Sequence, residues 1–136
     1  MPDSNEVPVE LARIVINEHS PEQVIVLREV GGTRQFPIVI GIFEAWAIDR
    51  RIKEIDMPRP MTHDLLAKAI TELGGRLERV VINDLEGNTF YARLVIQQDG
   101  KGLDIDCRPS DAVALAVRVG VPIFVDQQVF EKLSGS

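Results

Sequence analysis

Two short segments of this chain carry the residues best suited to chemistry, and both follow an Arg-Pro pair. The first reads RPMTHD at positions 59–64, and the second reads RPSD at positions 108–111. Each proline disfavours helical geometry in the residue before it, and each aspartate then falls where the positive end of a helix dipole favours a carboxylate. A helix that only packs needs an acidic first turn, but it does not need Arg-Pro in front. The repeated design predicts that the two helix starts form two walls of one pocket.

Acidic residues near the predicted helix starts are candidate ligands for a hard divalent cation. Carboxylate oxygens suit Mg²⁺ or Mn²⁺, and such a metal neutralises phosphate and generates a hydroxide nucleophile. The chain has no His-Glu-x-x-His, paired cysteines, Walker loop or serine elbow, so the spacing is not diagnostic. These acidic residues have simpler alternative roles. They could interact with the helix dipole in a first helical turn, and Asp106 could belong to a solvent-exposed strand face. The candidate metal ligands are Asp64, Asp111, Glu44 and Asp106.

His63 is one of only two histidines, and it falls inside the first Arg-Pro segment. We assign it the role of general base or leaving-group acid, with Asp64 and Asp111 as the other catalytic residues. The alternative is that His63 donates to a nearby carbonyl at the start of a helix. Arg59 and Arg108 carry planar guanidinium groups shaped to hold a phosphate, although they could instead pair with the neighbouring carboxylates.

Composition indicates an ordinary soluble protein whose one unusual property is its negative net charge. The chain has 136 residues, of which 45% are hydrophobic and 26% charged, which suits a single globular domain. A single cysteine, Cys107, excludes an intrachain disulfide and is expected to be a small core residue. The start of the chain lacks a signal-peptide pattern and no apolar run is long enough for a membrane span, so we predict a cytoplasmic location. The net charge of −6 opposes unaided binding to a phosphate backbone.

The pattern of hydrophobic residues predicts one α+β domain with a mainly antiparallel sheet of two meanders and three to four packed helices. Residues 1–6 are expected to be a flexible N-terminus, and residues 7–133 to form the domain. The helix at 111–119, with the sequence DAVALAVRV, is apolar almost all round and should be buried. Thr62 is expected to cap the second helix, Trp46 to pack in the core, and Pro37 to lie at a sheet edge or bulge. Strands are predicted at 7–18, 23–30, 33–40, 76–85, 89–97, 103–107 and 122–125, and helices at 42–53, 62–73, 111–119 and 126–133.

Several segments together give the chain a family resemblance. They read FPIVIG at 36–41 followed by Glu44-Ala45, PRPMTHDLL at 58–66, TFYA at 89–92, DCRPSDA at 106–112 and PIFV at 122–125. In this order they resemble the bifunctional nuclease domain family over nearly the whole chain. The resemblance implies a compact α+β domain, usually oligomeric, found in bacteria and plants, with nuclease activity on DNA and RNA. The residue roles given above come from side-chain chemistry and are not carried over from the family.

The leading prediction is a nuclease that hydrolyses phosphodiester bonds in DNA and RNA with a divalent metal. One alternative is a non-catalytic module, either an oligomeric interaction domain or a domain that binds an anionic ligand at the two helix starts. Another is a purely structural role, in which the polar clusters cap helices. Nucleic acid is the predicted partner and a membrane is not. A homo-oligomer, most simply a dimer, is expected because the apolar strands exceed what short helices can cover.

Overall fold

Two antiparallel meanders form the halves of one seven-stranded sheet in the computed structural model, which describes residues 5–135. The strand order is β3-β2-β1-β7-β4-β5-β6. The short strand β7 pairs antiparallel with β1 on one side and parallel with β4 on the other, so it joins the two meanders. The predicted α+β fold with a mainly antiparallel sheet is confirmed. The strands are β1 (Glu6–Val15), β2 (Glu22–Glu29), β3 (Gln35–Gly41), β4 (Gly75–Glu86), β5 (Thr89–Gln98), β6 (Lys101–Cys107) and β7 (Ile123–Asp126).

Four helices pack on this sheet, and the third lies at the centre of the core. They are α1 (Ile42–Ile52), α2 (Thr62–Glu72), α3 (Pro109–Val119) and α4 (Gln127–Leu133). Helix α3 contacts both α1 and α2 as well as three strands, and every residue from 112 to 116 is buried. Its predicted burial is therefore confirmed. The helix starts two residues earlier than predicted because Pro109 occupies the first turn, where its missing N–H costs nothing. None of the described helices is long and apolar enough to cross a membrane.

The edges of the sheet agree only in part with the sequence predictions. Strand β3 is an edge strand, so Pro37 lies where it removes no hydrogen bond from the middle of the sheet, as predicted. At the start of the chain, residues 1–4 lie outside the described residues, but Glu6 already belongs to β1 and is buried. Its carboxylate accepts hydrogen bonds from Arg79 and Arg93. The first strand therefore begins inside the segment predicted to be flexible.

Helix α1 is rotated relative to the prediction. Trp46 was expected in the core, but it is 39% exposed, and the buried residues of α1 are Glu44, Ala45 and Ile48. The small side chain of Ala45 and the branched Ile48 face the sheet, and Glu44 is buried because its carboxylate binds Arg108. The Glu44 carboxylate lies close against the Gly41 backbone, where an added Cβ would be 2.8 Å from the Glu44 Oε2 atom. The rotation places Phe43 and Trp46 on the outside of the core.

The start of α2 is capped in a different way from the prediction. Met61, and not Thr62, is the N-cap residue, and Thr62 is already helical. The Met61 N–H donates to the Asp64 Oδ2 atom at 2.9 Å, which is the backward hydrogen bond of a capping box. Asp64 therefore caps the start of α2 by accepting from the N-cap N–H, and the cap predicted for Thr62 is wrong. No residue of α2 is fully buried, so this helix forms a wall that solvent reaches.

Candidate functional site

A cavity of about 740 Å³ lies between α1, α2, the segment connecting them and α3. Its size is in the range of pockets that bind small ligands. Both Arg-Pro segments contribute to it, as the sequence predicted for two walls of one pocket. The lining residues are Phe43, Glu44, Trp46, Ala47, Arg50, Arg51, Ile55, Asp56, Met57, Pro58, Arg59, Pro60, Met61, Thr62, His63, Asp64, Lys68, Arg108, Asp111, Ala114 and Arg118.

Four ionisable side chains from three segments form one continuous chain of contacts along this cavity, which we call the charge chain. The His63 Nε2 atom lies 3.0 Å from Asp111 Oδ1. The other Asp111 oxygen accepts from Arg108 Nε at 2.9 Å, and Arg108 Nη2 lies 2.8 Å from Glu44 Oε1. His63 and Glu44 are largely buried, whereas the Arg108 side chain is 68% exposed. All four members of the charge chain are predicted site residues, and each contacts the next in the order His63, Asp111, Arg108 and Glu44.

The Asp111 carboxylate fixes where the proton of His63 lies. Burial alone would raise the pKa of Asp111, but hydrogen bonds from Arg108 and His63 outweigh burial and hold that pKa below its usual range. An ionised carboxylate can only accept hydrogen bonds, so His63 Nε2 must carry a hydrogen. The Nδ1 atom makes no hydrogen bond to any described residue and remains available to take up or release a proton. The predicted alternative, in which His63 donates to a carbonyl, is wrong, since a carboxylate is its partner.

Asp64 lines the same cavity but belongs to a separate group of contacts. The hydrogen bond from the Met61 N–H is the main reason why the pKa of Asp64 is lowered, and the neighbouring Arg118 and Arg50 lower it further. Its Oδ1 atom accepts from Arg118 Nε of α3. Asp64 makes no direct hydrogen bond to His63 or Asp111 among the described contacts. The geometry therefore gives Asp64 a structural partner on each side, and its catalytic role stays a prediction.

The candidate metal ligands do not form a ready metal site. Within residues 5–135, no group of three His, Cys, Asp or Glu side chains is placed to hold an ion together. Asp111 and Glu44 share Arg108, and Asp64 holds Arg118. Asp106 lies on the exposed edge strand β6 and is not among the cavity residues. The donor set as it stands does not fit a metal, because arginines already occupy the oxygens that a cation would need.

Unpaired cations surround the charge chain. Six Arg or Lys side chains and four Asp or Glu side chains line the cavity, which gives it a net charge of +2 in a protein of net charge −6. Arg59, predicted to bind phosphate, is exposed and forms no ion pair with any residue in the described range. Arg50, Arg51 and Lys68 likewise lack ion pairs there. The cavity is therefore a locally positive region of an acidic protein, which removes much of the objection that the net charge raised against a phosphate ligand.

Sequence reasoning missed the contribution of α1 to this cavity. Phe43, Trp46 and Arg50 occupy positions i, i+3 and i+7, so they share one helix face. Trp46 was predicted to pack in the core, so the sequence did not show that these three side chains line the cavity together. Cys107, by contrast, behaves as predicted and packs against the core. Burial, together with the nearby Asp111 and Asp106 charges, raises the pKa of its thiol to about 12, so the thiol stays protonated.

Comparison with known proteins identifies the family of this chain. The sequence model described as the Bifunctional nuclease domain matches residues 25–136, and the chain belongs to that family. An uncharacterized protein of Mycobacterium tuberculosis is 43% identical over 121 residues, covering 89% of this chain and 72% of the relative. Bifunctional nuclease 2 of Oryza sativa subsp. japonica is 30% identical over 118 residues, covering 84% of this chain. Bifunctional nuclease 1 of Arabidopsis thaliana is 24% identical over 114 residues. The match spans 36% of the rice protein and 35% of the Arabidopsis protein.

Proposed function

We propose that this domain is a nuclease that hydrolyses phosphodiester bonds in DNA and RNA within the cavity between α1, α2 and α3. The observation that carries the proposal is the His63–Asp111 hydrogen bond set among cationic side chains that have no ion-pair partner in the described structure. The names of the rice and Arabidopsis relatives support the same activity. The fold alone would not, because one fold hosts many functions.

The charge chain suggests a role for each of its members. His63 Nδ1 takes a proton from the attacking water or hydroxyl, or returns one to the leaving oxygen. Asp111 holds the imidazole with its hydrogen on Nε2 and stabilises the ring when it becomes positively charged. Glu44 and Asp111 together hold the Arg108 guanidinium, whose exposed remainder can contact a phosphate. Arg59 offers a second guanidinium with no competing carboxylate among the described residues.

We also carry forward the proposal of a divalent cation, Mg²⁺ or Mn²⁺, as a separate question. For a cation to bind Asp64 or Asp111, the carboxylate would have to give up Arg118 or Arg108 as its partner. The proposed roles of His63 and the arginines do not depend on that exchange. Metal dependence is therefore a second variable of the experiment.

The test is cleavage of single-stranded DNA, duplex DNA and RNA by highly purified protein, with Mg²⁺, with Mn²⁺ and with EDTA. His63→Gln should lower the rate by about 10²- to 10⁴-fold, the range for a lost general acid or base. The matched control is His19→Ala, since His19 is the other histidine, is exposed and lies outside the cavity. For the arginines, Arg59→Ala is compared with Arg76→Ala, an exposed arginine of β4 that does not line the cavity.

Each outcome decides something. Equal cleavage by wild type and His63→Gln would show that His63 is not catalytic, or that a contaminating nuclease is present. An intact substrate with wild-type protein under all metal conditions would refute the nuclease and favour the anion-binding alternative. Loss of activity in EDTA that Mg²⁺ restores would support the cation, and full activity in EDTA would reject it.

We further propose that the chain forms a homo-oligomer, most simply a dimer, through β6 and α2. Strand β6 is an open edge with unpaired backbone groups, and its Leu103 and Ile105 are exposed although they lie opposite the buried Ile96 and Leu94 of β5. Leu65 of α2 and Leu73, the residue that follows the end of α2, are 60% and 75% exposed. Light scattering at micromolar concentration should give a mass of twice 15.1 kDa. Ile105→Lys should reduce that mass, and a monomeric wild type would refute the proposal.

A further inference from the structure

The outer face of α1 contributes two aromatic rings to the cavity, and they have no role in the proposed chemistry. Phe43 is 75% exposed and Trp46 is 39% exposed, although large aromatic side chains are usually buried at least in part. Their ring centroids lie 5.9 Å apart with an angle of 83° between the planes. We call these two residues the aromatic pair. The cost of exposing them to water in the free protein points to a ligand that covers them.

The aromatic pair lies directly beside the charge chain. Phe43 precedes Glu44, the end of that chain, whose carboxylate contacts Arg108 at 2.8 Å. On the same helix face, Arg50 follows Trp46 by one turn and is close enough to Asp64 to lower the pKa of that carboxyl. Two exposed aromatic rings and a cationic side chain therefore share one wall of the cavity. This combination is what a nucleotide requires, because phosphates need cations and bases need flat apolar faces.

We propose that the aromatic pair is a subsite for an unpaired nucleobase and that the site therefore prefers single-stranded nucleic acid. This inference rests on the proposed function, since it names the form of substrate that the same cavity takes. In a duplex both faces of each base are already stacked on neighbouring bases, so Phe43 and Trp46 could not reach them. In a single strand any base offers a free face, and stacking does not require a particular sequence.

A second copy of the chain is a poorer occupant of this wall. In a two-fold symmetric interface the same patch faces itself, so the cavity would bring its own cations against their copies. The lining carries a net charge of +2, and arginine and lysine side chains without ion pairs account for it. A polyanion relieves that repulsion, whereas a copy of the same surface increases it. Charge complementarity thus favours nucleic acid over self-association at this face.

Trp46 supplies the measurement, because it is the only tryptophan in the chain. The probes are three ligands of about twelve nucleotides, within the usual site sizes for single strands: oligo(dT), the same sugar-phosphate backbone without bases, and a duplex. Trp46 fluorescence and the anisotropy of end-labelled probes report binding, and gel electrophoresis afterwards confirms that each probe is intact. Oligo(dT) should quench Trp46 and bind about 5- to 150-fold more tightly than the abasic strand, the range for stacking of one base.

The variants distinguish stacking on the aromatic ring from nonspecific hydrophobic binding. Phe43→Ala should weaken oligo(dT) binding by about 5- to 150-fold and leave binding of the abasic strand unchanged. Phe43→Leu should also lose most of the affinity for oligo(dT), because leucine keeps apolar area but has no ring. Tyr91→Ala is the matched control, since Tyr91 is 41% exposed, aromatic and outside the cavity, and it should bind oligo(dT) like wild type. Neither Phe43 substitution removes a buried side chain, so both proteins should fold.

Three results would overturn the inference. The first is equal affinity of the wild type for oligo(dT) and the abasic strand, and the second is unchanged binding of oligo(dT) by Phe43→Ala. The third is a lower molecular mass of Phe43→Ala than of the wild type, which would make the aromatic pair a subunit contact. Cleavage assays on the same preparations keep the two proposals apart. Wild type that cleaves single strands and duplexes equally, with no loss in Phe43→Ala, retains the nuclease and rejects the base subsite. Protein that binds oligo(dT) through Phe43 but cleaves nothing retains the subsite and rejects the nuclease.

Discussion

Replacing Asp111 by asparagine tests the charge chain with the smallest change in shape. The carboxylate accepts one hydrogen bond from His63 and one from Arg108, whereas an amide offers a single acceptor oxygen and adds a donor. One of the two partners must therefore face an NH₂ group. Hydrogen bonds to charged groups contribute about 1.5–3 kcal/mol, and the exposure of Arg108 reduces its share. We expect the free energy of unfolding to fall by about 1–2 kcal/mol at pH 7.

The loss of stability in Asp111→Asn should be larger at neutral pH than in acid. The folded protein holds the pKa of Asp111 below its usual range, so the ionised carboxylate stabilises the fold at any pH above the unfolded pKa of about 3.9. This stabilisation disappears as the pH falls through the lower, folded pKa. The difference between wild type and Asp111→Asn should therefore be complete at neutral pH and shrink in acid. Urea denaturation at both ends of that window measures it.

The same substitution should reduce cleavage by about 10²- to 10⁴-fold, because the amide NH₂ can donate to His63 Nε2 and move the ring hydrogen to Nδ1. Nitrogen NMR of the imidazole rings reports that tautomer directly, with His19 as the internal reference. The reasoning would be refuted by a variant with wild-type stability at pH 7, or by a stability difference that stays constant into acid. An unchanged His63 tautomer together with a full loss of activity would assign Asp111 a role other than orienting the ring.

Three further substitutions or reactions test the surrounding structure. Asp64→Ala should destabilise the protein by about 1 kcal/mol through the lost cap and speed hydrogen exchange at the start of α2, whereas Thr62→Ala should leave that exchange unchanged. Cys107 should resist a thiol reagent at pH 8 in the folded protein and react at once in urea, because its folded pKa is about 12; rapid reaction without denaturant would contradict the described burial. Leu115→Ala should lower the free energy of unfolding by about 2–5 kcal/mol in urea titrations, since the side chain is fully buried in α3; a change under 1 kcal/mol would mean that the core collapses around the gap.

The fold was predictable because its elements have strong local signals. The alternating apolar residues of the β strands and the mostly apolar α3 leave few alternatives, and glycines mark several turns, with Gly120 in the left-handed conformation ending α3. What the sequence did not show was the exact face of each helix. The spacing of Trp46 suggested that it faces the core, but Ala45 and Ile48 fill that place, since a small residue lets the helix approach the sheet.

The site was predictable to the extent that it repeats one motif. The two Arg-Pro segments indicated that His63, Arg108 and Asp111 would meet, and they do. The ion-pair partner of each carboxylate could not be predicted from the sequence, because it depends on distances in the folded structure. Glu44 and Asp64 were expected to share a metal, but each lies within reach of an arginine, Arg108 in one case and Arg118 in the other. An oxygen that could bind a cation binds a guanidinium equally well, and sequence alone does not distinguish them.

The position of β7 has a consequence for the order in which the molecule can assemble. Strand pairing between the two meanders runs through the four residues Ile123–Asp126 of β7 in the described structure, and they follow both meanders along the chain. Each meander can form its own hairpins early, since those pairings close short loops. The two halves of the sheet share no strand pairing until β7 is added, so one edge of β1 and one edge of β4 stay open to neighbouring chains. Newly made chains that stop at Gly120 should therefore associate with one another, and sedimentation of such fragments would measure this hazard during synthesis.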